Sequence, residues 1–189
     1  VLFSYAGVRP LPYRPGVKSG NIPRSHLILT HDTVPNLISV VGGKLTPHLS
    51  LGRETVDLAA KLIGRSLPAS RTGRETLPGG AADWPARSRQ VRSRLPFAGP
   101  IADRLVSVYG ARCQDLLELI AGDPAQARVI GSGEGAVVVA EITLAVRAEG
   151  AVQLADILHR RTMVGLSPAL GLDVDREVAA VAAPLLGWA

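Results

Sequence analysis

The run Leu-Ile-Ser-Val-Val-Gly-Gly-Lys-Leu-Thr at residues 37–46 decides how this chain is interpreted. Its first half is apolar, as in a strand, and a helical spacing of apolar residues follows it up to Gly64. Two glycines at the junction, Gly42 and Gly43, permit close backbone approach. We expect the amides of residues 44–46 to point outward at the start of the helix, where they suit an electron-rich ligand edge.

Two segments upstream each place an arginine next to an apolar run. Arg9 follows the run at residues 3–8, and Arg24 precedes the apolar run at residues 27–29. A guanidinium is a planar fork that matches phosphate oxygens in pairs and keeps its charge at any working pH. These arginines are therefore candidates for a phosphate site, and the alternative is that each is a surface cation at a strand end.

These segments, in this order, resemble the carboxy-terminal half of the FAD-dependent glycerol-3-phosphate dehydrogenases. The family is a flavin-dependent oxidoreductase family whose C-terminal domain is helical, and the resemblance spans nearly the whole chain. Each motif alone is weak evidence, but five motifs in the same order are improbable by chance. They are Gly7-Val8-Arg9-Pro10-Leu11, Arg24-Ser25-His26, Gly42-Gly43-Lys44-Leu45-Thr46, Leu77-Pro78-Gly79-Gly80, and the late segment Ala145-Val146-Arg147-Ala148-Glu149-Gly150 through Leu158-His159-Arg160-Arg161-Thr162.

The resemblance implies roles for particular residues. Arg9 and Arg24 would line the glycerol phosphate pocket, and Lys44 would contact the substrate phosphate and place positive charge near the flavin pyrimidine edge. The backbone of Gly43, Lys44, Leu45 and Thr46 would hold that flavin edge. The alternative is that this segment is an ordinary strand-to-helix turn, in which Gly42 and Gly43 are present only for steric reasons.

The sequence also departs from the family pattern after Thr46. The family usually continues with Thr-Tyr-Arg, whereas this chain has Pro47-His48-Leu49, which puts local packing in doubt. Proline is acceptable near the first turn of a helix. The four histidines show no ligand spacing for a metal, His26 is interpreted as structural or as a neighbour of the flavin, and no catalytic base is assigned.

Composition sets the bounds of the interpretation. The chain has 189 residues, 47% of them hydrophobic and 20% charged, which is typical of globular proteins, and it has no apolar run long enough to span a bilayer. The net charge of +5 is concentrated in seven arginines between Arg65 and Arg94. Prolines interrupt this run and no aromatic platform accompanies it, so we expect a solvated linker and no nucleic-acid partner.

The pattern along the chain predicts an α+β protein. Residues 1–64 read as three strands and a helix from a flavin and substrate domain, residues 65–98 as a Pro- and Arg-rich linker, and residues 99–189 as an all-α cap. Within the cap, residues 136–149 are assigned to a helix although their β-branched residues also suit a strand. The glycine-rich run at 131–136 is interpreted as a helix-linking loop, because its context does not fit a dinucleotide fingerprint.

The resemblance implies that the intact enzyme oxidises sn-glycerol 3-phosphate to dihydroxyacetone phosphate by hydride transfer to FAD and passes the electrons to a quinone. It also implies a cytoplasmic enzyme in peripheral contact with the membrane, and it is compatible with a homodimer. Since Val1 opens directly into a predicted strand, we interpret the chain as a piece that is inactive alone. The alternatives are a helical interaction module with a vestigial flavin-domain segment, or a related amine or amino-acid oxidase, which two arginines and Lys44 disfavour.

Overall fold

The fold is α+β with most of its regular structure in helices. The structure, a computed structural model, describes residues 4–8 and 10–188. The chain divides into two compact units, one made of residues 5–75 and one that contains residues 76–188. None of the described helices is both long enough and apolar enough to cross a membrane.

The first unit is a hairpin followed by one helix. Strand β1 (Leu27–Thr30) pairs antiparallel with β2 (Ile38–Val41), with Leu27 opposite Val41 and Thr30 opposite Ile38. Helix α1 (His48–Leu62) follows. These elements correspond to the second and third predicted strands and to the predicted helix.

The first predicted strand is not seen in the described residues. Residues 4–8 have no regular secondary structure, and residues 1–3 lie outside the part of the chain that the structure describes. A strand forms only where its backbone groups pair with a neighbour, and the described sheet of this unit consists of β1 and β2 alone.

The first unit has almost no interior. Among its described residues only Pro12 and Ala60 are buried. Apolar side chains of the hairpin and of α1 are open to solvent, since Val40 is 44% exposed and Val56 is 54% exposed. The described part of this unit therefore lacks a hydrophobic core of its own.

The second unit is largely helical. Its regular elements are α2 (Trp84–Arg94), α3 (Gly99–Tyr109), α4 (Cys113–Gly122), β3 (Val129–Ile130), β4 (Val137–Val138), α5 (Val139–Ala148), α6 (Leu154–Asp156), a π-helical turn at Ile157–Arg161, and α7 (Asp175–Leu186).

Helix α5 is the central element of this unit. Every residue from Val139 to Ala145 is buried, which is the pattern of a helix covered on all sides. One face of α5, including Ile142, packs in a cluster with α7, and the other face, including Leu144, packs in a cluster with α3 and α4. The two clusters together form the core of the second unit.

The segment at residues 65–98 differs from the linker that the sequence predicts. Its second half contains α2, whose Val91 is 5% exposed and packs in the cluster with α3 and α4. Prolines were expected to interrupt a helix here, but Pro85 occupies the first turn of α2 and Pro96 follows its end. Both are positions where proline bounds a helix without breaking it.

The region at residues 129–149 also differs from the prediction. The glycine-rich run 131–136 connects β3 to β4 in a short antiparallel pair, in which Ile130 lies opposite Val137. Helix α5 begins only at Val139, so the first β-branched residues of the predicted helix form a strand. The glycine-rich run is thus a hairpin loop and not a link between helices.

Candidate functional site

Gly42 is the point where three of the predicted site segments meet. A Cβ atom built on Gly42 would lie 3.2 Å from the carbonyl oxygen of Ser25 and 3.7 Å from that of Pro10. The φ angle of Gly42 is +74°, which also favours glycine. The segments that contain Arg24 and Lys44 are therefore held side by side with the segment that begins at Gly7.

Two of the three candidate phosphate-binding residues, Arg24 and Lys44, lie within the described part of the chain. Arg9 lies outside the described residues. Arg24 and Lys44 are both exposed, and neither side chain has a hydrogen-bond or ion-pair partner within residues 4–8 and 10–188. Two cations of the first unit thus flank the Gly42 contact with their charges open to solvent, and their roles stay predictions.

The turn at residues 43–46 differs from the helix start that the sequence predicts. Lys44, Leu45 and Thr46 precede α1, and Pro47 occupies its N-cap position. The reason is Pro47, because a residue before proline is disfavoured in the helical region, so the helix cannot begin earlier. The expectation that residues 44–46 form the start of the helix is therefore wrong.

The backbone of this turn is nevertheless available to a ligand. Leu45 is 87% exposed, and Lys44 and Thr46 are exposed as well. Among the described residues, none accepts a hydrogen bond from the amides of residues 43–46. The turn itself is held in place, since His48 Nδ1 donates to the carbonyl oxygen of Leu45 at 2.9 Å.

His26 connects the hairpin to α1. Its Nε2 lies 3.1 Å from Oε2 of Glu54, and a Cβ atom on Gly43 would lie 3.4 Å from Cβ of His26. His31 has a different role, because its Nε2 lies 2.9 Å from the hydroxyl of Ser39 across the hairpin. Both histidines therefore make structural contacts inside the first unit.

The second unit contains a buried carboxylate that the sequence analysis did not select. Glu141 has no exposed surface. Its two carboxylate oxygens accept bonds from Nη1 and Nη2 of Arg104 at 2.6 and 2.7 Å. The hydroxyl of Tyr109 donates to Oε1 at 3.0 Å and the amide of Val138 donates to Oε2 at 2.8 Å. Glu141 thus joins α3, β4 and α5.

Burial shifts the titration of the neighbours of Glu141. Burial, with Glu141 as the next cause, raises the pKa of Tyr109 far above its ordinary value. Burial also raises the pKa of the Cys113 thiol to about 11, again with a contribution from Glu141. The signal that identifies Glu141 in the sequence is a carboxylate in the middle of an apolar run, because a buried charge needs a partner.

The Leu77-Pro78-Gly79-Gly80 segment packs tightly against the end of α3. The amide of Ala111 donates to the carbonyl oxygen of Gly79 at 2.8 Å. A Cβ atom on Gly110 would overlap that same oxygen, and a Cβ atom on Gly79 would lie 2.9 Å from the carbonyl oxygen of Tyr109. Both glycines have positive φ angles, so the contact requires glycine on each side.

The second unit is similar to a known protein family. The model of the family described as the C-terminal domain of alpha-glycerophosphate oxidase matches residues 70–189. This range includes the second unit with its buried carboxylate and its Gly79 contact. No solved structure matches the chain significantly.

Several glycerol-3-phosphate dehydrogenases are similar over most of the chain. An enzyme of this name from Synechocystis is 39% identical over 174 residues, which is 88% of this chain and 30% of the relative. Glycerol-3-phosphate dehydrogenase 2 of Mycobacterium bovis is 33% identical over 188 residues, which is 97% of this chain and 32% of the relative. The mitochondrial enzyme of Rattus norvegicus is 30% identical over 86% of this chain and 22% of its own length.

The chain thus spans about a third of the length of its bacterial relatives. The family match and these identities confirm the resemblance inferred from the five motifs. This chain belongs to the glycerol-3-phosphate dehydrogenase family and carries its C-terminal domain.

Proposed function

We propose that this chain is the C-terminal part of an enzyme that oxidises sn-glycerol 3-phosphate to dihydroxyacetone phosphate, and that it supplies part of the substrate site. The single observation that carries the proposal is the contact at Gly42, which places the segments of Arg24 and Lys44 together. Arg24 offers a fork to the phosphate oxygens and Lys44 offers a point charge. Arg9, whose segment continues to the same contact, completes the proposed set.

The residues of the turn fit an edge of a flavin. The amides of Gly43, Lys44, Leu45 and Thr46 have no acceptor among the described residues, and the turn is open to solvent. Bound FAD would supply the acceptor for the hydride that leaves C2 of the substrate. This chain would contribute amide donors and the charge of Lys44 at the rim of that cofactor.

The exposed apolar surface of the first unit supports a place in a larger domain. Only Pro12 and Ala60 are buried among its described residues, while Leu29 of the hairpin is 42% exposed and Leu49 of α1 is 46% exposed. A unit of this size needs a buried interior to be stable. The rest of a flavin domain would cover this surface. Electron transfer to a quinone, peripheral contact with the membrane from the cytoplasmic side, and a homodimer remain predictions of the resemblance.

A second candidate function is a helical interaction module. The observation that favours it is that both clusters of buried residues lie within the second unit, so this unit has a core without the first. In that case the first unit would be a vestige with no role in substrate binding.

The experiment measures glycerol 3-phosphate-dependent reduction of an artificial electron acceptor by the complete product of the gene. We expect Arg24→Gln and Lys44→Gln each to raise KM by about tenfold, since each removes a charge-assisted contact to phosphate. The matched control is Lys61→Gln, because Lys61 is an exposed cation in the last turn of α1. Its KM should stay within about twofold of the parent.

Two results would count against the proposal. Equal KM values for Lys44→Gln and Lys61→Gln would remove Lys44 from the substrate site. A complete product that reduces no acceptor with glycerol 3-phosphate, although it folds, would favour the interaction module.

A further inference from the structure

A polar pocket in the second unit gathers residues from two of the five motifs on which the resemblance rests. It has a volume of about 230 Å³, and its lining includes Pro78, Glu149, Arg160 and Arg161. Arg112, from the turn between α3 and α4, completes the charged lining. The proposed substrate site uses none of these residues.

Two of the three arginines are fixed by carboxylates. Nη1 of Arg112 donates to Oε1 of Glu149 at 2.6 Å, and its Nε donates to Oδ2 of Asp115 at 3.0 Å. Nη1 of Arg160 donates to Oδ1 of Asp156 at 2.8 Å. The Arg112 side chain is only 25% exposed, so its guanidinium loses little further freedom when an anion binds, whereas the Arg160 side chain is 61% exposed and is held less firmly.

The third arginine, Arg161, is exposed and has no hydrogen-bond or ion-pair partner among the residues that the structure describes. The pocket lining carries three guanidinium groups and the carboxylate of Glu149. Asp115 and Asp156 pair with Arg112 and Arg160, so Arg161 is the one arginine of the lining without a carboxylate partner among the described residues. A structural role at the end of a helix does not account for an unpaired Arg161.

The backbone that carries Arg160 and Arg161 is unusual. Ile157–Arg161 forms a π-helical turn, closed by the amide of Thr162, which donates to the carbonyl oxygen of Ile157 at 3.1 Å. Gly165 packs against this turn so closely that a Cβ atom there would overlap the imidazole of His159. Such turns are rare and occur frequently at functional sites.

We propose that this pocket binds the phosphate group of a small soluble anion, with Arg161 as its main free donor. Arg112 and Arg160, which are paired with carboxylates, offer their remaining guanidinium N–H groups, and Pro78 and Tyr109 contribute to the rest of the lining. The site is formed by the second unit alone. It does not depend on the function proposed for the first unit.

The test is isothermal titration calorimetry of the 189-residue chain with inorganic phosphate. All proteins in the titration, the parent included, carry Arg24→Gln and Lys44→Gln, which weaken the candidate site of the first unit equally in every measurement, so that the two proposals fail independently. We expect one saturable site in the millimolar range, weakened about tenfold by Arg161→Gln, because a charged hydrogen-bond donor is lost.

Arg176→Gln is the matched control. Arg176 is an exposed arginine in the first turn of α7 whose guanidinium has no partner among the described residues, so the variant makes the same change in net charge. Its phosphate affinity should stay within about twofold of the parent. Phosphate should also raise the melting temperature of the parent and of Arg176→Gln by mass action, and much less that of Arg161→Gln.

The proposal is overturned if no saturable binding occurs in the millimolar range. It is equally overturned if Arg161→Gln and Arg176→Gln weaken binding to the same extent, since that result means unspecific attraction to net charge. Because Arg161 is exposed and unpaired among the described residues, its replacement leaves the fold intact, and a melting curve without phosphate verifies this.

Discussion

Replacing Arg104 by methionine should strongly destabilise the second unit. Methionine keeps much of the length of arginine and removes its charge. The carboxylate of Glu141, which has no exposed surface, would keep only the hydroxyl of Tyr109 and the amide of Val138 as donors. A buried charge that loses its counter-charge is among the most costly defects in a protein interior.

The size of the effect follows from the two bonds that are lost. Arg104 donates to both oxygens of Glu141 at 2.6 and 2.7 Å. Removal of one partner of a buried ion pair costs about 3–5 kcal/mol in free energy of unfolding. For a unit of this size that corresponds to a fall in melting temperature of about 10–20 °C.

The assay is urea denaturation of the full chain followed by circular dichroism at 222 nm, which reports mainly the helices of the second unit. Arg128→Met is the control, because the ion pair of Arg128 with Glu177 at 3.2 Å is more than half exposed on both sides. Exposed pairs contribute about 0–1 kcal/mol. The double variant Arg104→Met with Glu141→Gln should recover part of the stability, since it leaves no unpaired buried charge and the amide oxygen of Gln can still accept a hydrogen bond from Tyr109 or Val138.

Two outcomes would refute this reasoning. If Arg104→Met loses no more stability than Arg128→Met, then the pair with Glu141 is not buried as described. If the double variant is as unstable as Arg104→Met alone, the loss arises from side-chain packing and not from charge.

Two further predictions concern the packing around the same helices. Burial raises the pKa of Cys113 to about 11 from its ordinary value of 9.0, so the folded state holds the thiol proton more tightly than the unfolded state. The stability that this contributes is fully present below pH 9. It should be lost as the pH rises from 9 toward 11. Ellman's reagent should accordingly react slowly with the native chain at pH 8 and rapidly in urea, and an equal rate in both would show an accessible thiol. Gly110→Ala should lower the free energy of unfolding by about 1–3 kcal/mol more than Gly99→Ala. Both glycines have a φ of +55°, but a Cβ atom meets a carbonyl oxygen only at Gly110. Equal midpoints of urea denaturation for the two variants would contradict this contact.

The hairpin and the helix of the first unit were predictable because their signals are local. Short apolar runs bounded by turn residues identify β1 and β2, and helical spacing identifies α1. The start of α1 was misplaced by several residues, although Pro47 was visible in the sequence. The conformational restriction on the residue before proline decides that start.

The linker assignment shows how the position of a proline matters more than its presence. The prolines of this segment predict an interrupted helix, yet Pro85 lies at the start of α2 and Pro96 after its end. What makes α2 part of the second unit is the burial of Val91 and Leu95, which depends on helices far along the chain. No local pattern in an arginine-rich segment reveals that burial.

The family, the α+β class and the residue types of the candidate site could be predicted from the linear chain, because motif order, periodicity and charge are properties of that chain. The contact of Gly42 with Ser25 and Pro10, the pair of Glu141 with Arg104, and the pocket shared by Arg112, Arg160 and Arg161 become visible only in the folded protein. Each of these depends on segments far apart in sequence that meet when the core packs. The free energy that fixes them comes from burial, which no single segment contains.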